Sequence, residues 1–132
     1  MAVAVTDTHA LVWYAMGPQR KLGRGARAMF GRAERGQGTI YVPTLVLVEI
    51  AEAVRRRIIR CDEGFSRWAN RLLSSGHFLA VDLTAAIVIE AESLYSIPER
   101  GDRLIAATAA HLGCPLLSKD PQIARTTVTT VW

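Results

Sequence analysis

Apolar residues along this chain fall into two alternating rhythms: short β-branched runs, and longer stretches whose apolar positions recur at helical spacing. The first run, residues 2–6 (AVAVT), predicts a buried parallel strand ending at Asp7. A helix follows to about Met16, where Gly17-Pro18 stops it. Residues 24–35 read as a basic helix ending at Gly36 and Gly38. TIYVP at 39–43 is a second strand, and Pro43-Thr44 opens a long helix from about 44 to 60. Residues 63–74 set Phe65, Trp68, Ala69 and Leu72 on one helical face. HFLAV at 77–81 is strand three, Thr84 caps a helix to about Leu94, and the loop YSIPERG leads to Asp102. Residues 103–112 are helical and end at Gly113; PLLS at 115–118 and a weaker VTTV at 128–131 supply strands four and five.

Strands alternating with helices predict a single α/β domain over residues 1–132, a three-layer α/β/α sandwich around a mainly parallel sheet. Right-handed crossovers bring the C-terminal ends of all strands to one edge, where such folds bind ligands. Four acidic residues map to that edge. Asp7 ends strand one, Asp120 follows strand four, Glu49 lies in the second turn of the helix leaving strand two, and Asp102 opens the helix feeding strand four. Gathered carboxylates repel one another unless a cation neutralises them. Oxygen-only donors favour Mg²⁺ or Mn²⁺, ions that bridge carboxylates to phosphate oxygens and activate water. The chemistry expected of the set is phosphodiester hydrolysis, with a nucleic acid as substrate.

Each acid also has a plain structural reading. Asp7 and Asp102 are candidate helix caps, and Thr8 would cap as well as Asp7. Asp120 precedes Pro121 in a turn. Glu49 stands among Val46, Leu47, Val48, Ile50 and Ala51 without a partner at i+4, whereas Glu52 is set to pair with Arg56. Thr6 and Ser118 flank the acids as candidate donors to phosphate or water, and Arg103 as a contact to phosphate or to a carboxylate. His9, His77 and His111 lack zinc-ligand spacing, and Trp13, Trp68 and Trp132 read as core or interface rather than as base-stacking platforms.

Net charge is +4, concentrated as Arg at residues 20–35 and at Arg55, Arg56, Arg57 and Arg60. Two readings stand: a solvated basic surface, or one that tracks phosphates. The two cysteines, Cys61 and Cys114, form no CxxC and suit a reducing cytoplasm, Cys114 as a buried free thiol. No signal peptide is evident, and no run approaches the ~18 apolar residues of a membrane span.

With these residues the chain resembles PIN-domain proteins, specifically the small VapC-type ribonuclease toxins of bacterial toxin–antitoxin pairs. The resemblance spans nearly the whole chain and is carried by TDTHALVW, PTLVLVEIAEAV, GDRLIAATAAHLGCPLLSKD and the closing TTVW. The family's four acids fall on Asp7, Glu49, Asp102 and Asp120, as magnesium ligands and catalytic residues. The resemblance implies a parallel sheet of order 3-2-1-4-5 and Mg²⁺-dependent endoribonuclease activity leaving 5′-phosphate and 3′-hydroxyl ends. It also implies a VapB-type antitoxin partner and a homodimer or toxin–antitoxin hetero-oligomer. One departure is Val46, where many relatives carry a small hydroxyl residue a turn before the Glu. The rival expectation is a non-catalytic PIN-like module that binds RNA or protein. Aspartyl-phosphate chemistry fits poorly, because His9 stands where a second Asp is wanted.

Overall fold

The structure, a computed structural model, describes residues 2–132. Five strands form one sheet of order β3-β2-β1-β4-β5, and every neighbouring pair is parallel. They are β1 (Ala2–Thr6), β2 (Gly38–Pro43), β3 (Phe78–Val81), β4 (Leu116–Leu117) and β5 (Thr130–Val131). The flanking helices are α1 (Thr8–Ala15), α2 (Arg24–Glu34), α3 (Thr44–Arg55), α4 (Phe65–Leu73), α5 (Ala85–Ala91), α6 (Arg100–Leu112) and α7 (Pro121–Ala124). Two single turns of 3₁₀-helix, Gln19–Lys21 and Glu92–Leu94, complete the set; the first, and α7, were not evident in the apolar pattern. No helix among the described residues is long and apolar enough to cross a membrane.

The central strand explains itself: Ala4, Val5 and Thr6 in succession are buried, as a strand covered on both faces requires. Against the sheet pack Leu11 of α1, Phe30 of α2, Ile50 of α3 and the Ile105–Ala109 stretch of α6, all buried. Tyr14, Phe30 and Phe78 stack in sequence, with the Tyr14 and Phe30 rings nearly parallel at 4.3 Å between centroids.

Two helix ends carry the same backbone wrap with different residues. At Gly113 (φ 64°) the chain turns left-handed, the Cys114 N–H donating to Ala109 O and the Gly113 N–H to Ala110 O, each 3.1 Å. At Arg57 (φ 57°) it does likewise, Ile58 N–H to Ala53 O at 2.9 Å and Arg57 N–H to Val54 O at 3.1 Å. The expected helix to residue 60 therefore stops at Arg55, because an arginine occupies the left-handed position where glycine is usual. Glu52 consequently pairs with Arg55 rather than with Arg56.

The last two strands are shorter than expected, and the chain's closing residues seal one side of the molecule. Val131 O accepts from Ser118 N–H at 3.2 Å and Trp132 O from Gly25 N–H at 3.1 Å. A β-carbon on Gly23 would lie 2.4 Å from the Trp132 carbonyl carbon, so the α2 start and Trp132 need glycine to meet. Gly23→Ala forces this contact apart, and a loss of about 1–3 kcal/mol is expected. Chemical denaturation reads it as a lower midpoint at unchanged slope.

Candidate active site

The C-terminal edge of the sheet positions the acids. Asp7, one residue beyond β1, is tied to β4 by its N–H bonding to Leu117 O at 3.2 Å. Its carboxylate caps α1, accepting from Ala10 N–H at 2.8 Å, and also accepts from the Ser118 hydroxyl. Burial pushes its pKa up and the Asp120 charge adds to this, while those two hydrogen bonds and His9 oppose it. Asp120 caps α7, accepting from Gln122 N–H at 2.9 Å, and its own N–H donates to Ser118 Oγ at 3.1 Å. The buried Ser118 thus joins two of the four acids, and its hydroxyl is not offered to solvent. Thr6 is buried too, its hydroxyl bonded to Asp7 O at 2.9 Å.

Glu49 projects from the second turn of α3, and the Thr8 hydroxyl donates to Glu49 Oε1 at 2.5 Å. Val46 is fully buried, so the hydroxyl absent one turn before Glu49 is supplied from α1 instead. In sequence, Thr8 was visible only as an alternative cap.

The start of α6 departs from expectation. Glu99, not Asp102, is the cap, accepting from Gly101 N–H at 3.0 Å and Asp102 N–H at 2.6 Å. The helix therefore begins at Arg100 and Asp102 lies within its first turn. Burial alone would raise Glu99, but the two backbone donors, with the Asp102 side chain and Arg100, hold its pKa below the usual value. Asp102 is pushed up to about 6 by burial first, then by the charges of Glu99, Asp120, Glu49 and Asp7. All four expected acids are therefore brought together, with Glu99 as a fifth that sequence reasoning passed over. A Glu before a helix three residues from an Asp was its signal.

Gly101 keeps the cluster open. A β-carbon there would lie 2.7 Å from Glu49 Oε2 and 3.0 Å from Glu99 Oε2. Beside it a groove of about 420 Å³ is lined by Glu49, Glu99, Gly101, Arg100 and Val48. The Arg103 guanidinium donates to Ile97 O at 2.9 Å. Trp68 is core, as expected. Cys61 and Cys114 are both free and only partly buried; burial raises the Cys114 thiol.

No three Asp, Glu, His or Cys side chains among the described residues close into a ready cation site. The donors are oxygen only, and the carboxylates facing Asp102 leave negative charge uncompensated, so the residues present fit a hard divalent ion.

Curated protein sequences return no match to this chain. Among solved structures, a chain of VapBC2 from Rickettsia felis, crystallised bound to a DNA fragment from their promoter, superposes with a TM-score of 0.71 at 17% identity, covering 97% of this chain and 96% of that one. VapC20 of Mycobacterium tuberculosis, a sarcin-ricin loop cleaving toxin, gives 0.64 at 17% identity, covering 97% of each chain. A toxin–antitoxin complex from Klebsiella pneumoniae gives 0.64 at 13% identity, covering 94% and 92%. At such identities these show a shared fold, which is the parallel 3-2-1-4-5 sheet seen here. The family model for the PIN domain matches residues 4–128, almost the whole chain, and the protein belongs to the PIN-domain family.

Proposed function

We propose that this protein is a Mg²⁺-dependent endoribonuclease, the toxin of a VapBC-type pair, working in the cytoplasm. The observation that carries the reading is the convergence of Asp7, Glu49, Asp120 and Glu99 upon Asp102 at the C-terminal sheet edge. The VapC20 fold match supports RNA as the substrate class, and the toxin–antitoxin matches support a VapB-type antitoxin as partner. Toxin homodimers or hetero-oligomers with that antitoxin fit the same reading.

Asp7, Asp102 and Asp120 would hold the ion, directly or through water, with Glu49 completing the set. Bound there, the ion supplies charge neutralisation for the phosphate and lowers the pKa of an attacking water. The Thr8 hydroxyl fixes the Glu49 carboxylate so that it can orient that water and accept its proton. In the hydrolysis a water oxygen bonds phosphorus as the bond to the 3′ oxygen breaks, giving a 5′-phosphate and, once that oxygen is protonated, a 3′-hydroxyl. Ser118 keeps Asp7 and Asp120 in register while this happens. A non-catalytic binding module would have no physical use for five carboxylates held against their own repulsion.

Asp7→Asn keeps shape and capping ability while removing the charge. Cleavage of total RNA should fall at least about 100-fold, with the circular dichroism spectrum unchanged. Wild-type cleavage by this variant would refute the assignment. Chelation with EDTA should abolish cleavage, and added Mg²⁺ or Mn²⁺ should restore it; activity persisting in EDTA would exclude the metal-dependent mechanism.

Asp102 gives a pH signature. Its folded pKa, about 6, exceeds its ordinary value of 3.8, so folding favours the protonated form. That contribution is complete below about pH 4 and lost as pH rises through about 6. The metal-free protein should therefore melt higher at pH 5 than at pH 7, and Asp102→Asn should flatten the difference. Saturating Mg²⁺ should shrink it too. Equal melting temperatures at the two pH values would show that Asp102 is not crowded by charge.

A further inference from the structure

The two basic segments have different fates. Of the second, Arg55 is ion-paired with Glu52 and Arg60 with Asp62, and nearby Arg71 pairs with Glu63. Together with His111, which contacts Glu90, these are the only basic side chains paired with a carboxylate among the described residues. Lys21 and Lys119 are exposed and stand in none of them, although Lys119 lies between Ser118 and Asp120 in the chain. Both ammonium groups instead lie against one indole. Lys119 Nζ is 4.8 Å and Lys21 Nζ 5.4 Å from the centroid of Trp13. Trp13 is itself fixed, edge-on to Trp132 at 5.7 Å and tilted against His9 at 5.4 Å. An indole face holds an ammonium in place without cancelling its charge, which a carboxylate would do.

Position gives this pair its meaning. Trp13 lies six residues beyond Asp7, an axial rise of about 9 Å along α1 at 1.5 Å per residue, and Lys119 directly precedes Asp120. Arg20 and Arg24, exposed and without ion pairs among the described residues, flank Lys21 in sequence. A nucleic-acid strand with its scissile phosphate at the acids would carry a neighbouring phosphate past these lysines. Resting on the nuclease reading above, we infer that Lys21 and Lys119, held on Trp13, form a phosphate-binding subsite for a single-stranded RNA backbone beside the acidic cleft. The contact is to phosphate, so it positions the strand without reading its sequence.

Binding rather than cleavage tests this. A labelled single-stranded polyuridine RNA is titrated with the Asp7→Asn protein, which keeps the subsite but should not cut, between about 50 and 200 mM NaCl. Each phosphate contact on a single strand contributes about 0.7 to the slope of log affinity against log salt. Lys21→Gln with Lys119→Gln in that background should flatten the slope by about 1.4. A control that removes equal charge elsewhere, Arg57→Gln with Arg67→Gln, should leave the slope as in the parent. Matching melting curves certify the fold of each. An unchanged slope in the lysine variant, an equal loss in the arginine control, or no RNA binding by the parent would each overturn the subsite. Failure of the wild type to cut RNA with Mg²⁺ would instead strike the nuclease reading, while the slopes still decide the subsite.

Discussion

Repulsion among carboxylates is the constraint that this structure is organised around. Asp7, Glu49, Glu99 and Asp120 all act on Asp102, and left to itself such a group would swing apart into water. The protein holds it by giving nearly every member a donor. Asp7, Glu99 and Asp120 each cap a helix and accept backbone N–H groups at its positive end. Glu49 caps no helix and takes the Thr8 hydroxyl instead. Asp102 accepts from no backbone N–H among the described residues and is pushed up to about 6, by burial first; the buried Asp7 is raised as well. A cation at this edge would relieve the repulsion that the caps leave.

The sheet makes this arrangement possible. Parallel strands deliver every following helix start to one edge, so segments as distant as Asp7 and Asp120 meet without a long loop. Strand β4 needs only Leu116 and Leu117, because the Asp7 N–H bonds to Leu117 O and Ser118 then bridges Asp7 and Asp120. Gly101 contributes by what it lacks: any side chain there would meet Glu49 Oε2 at 2.7 Å. Packing, backbone bonding and electrostatics thus agree at one place, which is how a strained polar site survives inside a well-packed domain.

Much of this was legible in the residues alone, and the exceptions have physical reasons. The alternation of β-branched runs with helical periods places all five strands, and Asp7, Glu49, Asp102 and Asp120 fall at the predicted edge. Glu99 was hidden because Asp102, after a glycine, looks like the stronger cap by residue type. The glutamate accepts from the N–H groups two and three residues on, a local cap that residue-type preference does not favour. The Thr8 hydroxyl on Glu49 joins residues 41 apart, beyond any local pattern. The end of α3 was overshot because Arg57 takes a left-handed conformation that composition assigns to glycine. Trp13 was read as packing, and only the folded chain shows two ammonium groups lying against its ring.

That last arrangement bears on how a protein with an acidic cleft can approach a polyanion. Net charge of +4 does not answer it, since charge spent in ion pairs with neighbouring carboxylates produces little field at a distance. The arginines at and beyond the end of α3 are partly spent in that way, Arg55 on Glu52 and Arg60 on Asp62. Lysines placed near five acids would be expected to collapse onto them, because an exposed ammonium gains from any carboxylate within reach. An aromatic support changes the competition. It holds the cation by its ring quadrupole, keeps it desolvated on one side and leaves the charge intact on the other. The cleft and the cations can then stand side by side without neutralising each other, which is the condition for drawing in one phosphate while the next is presented to the acids.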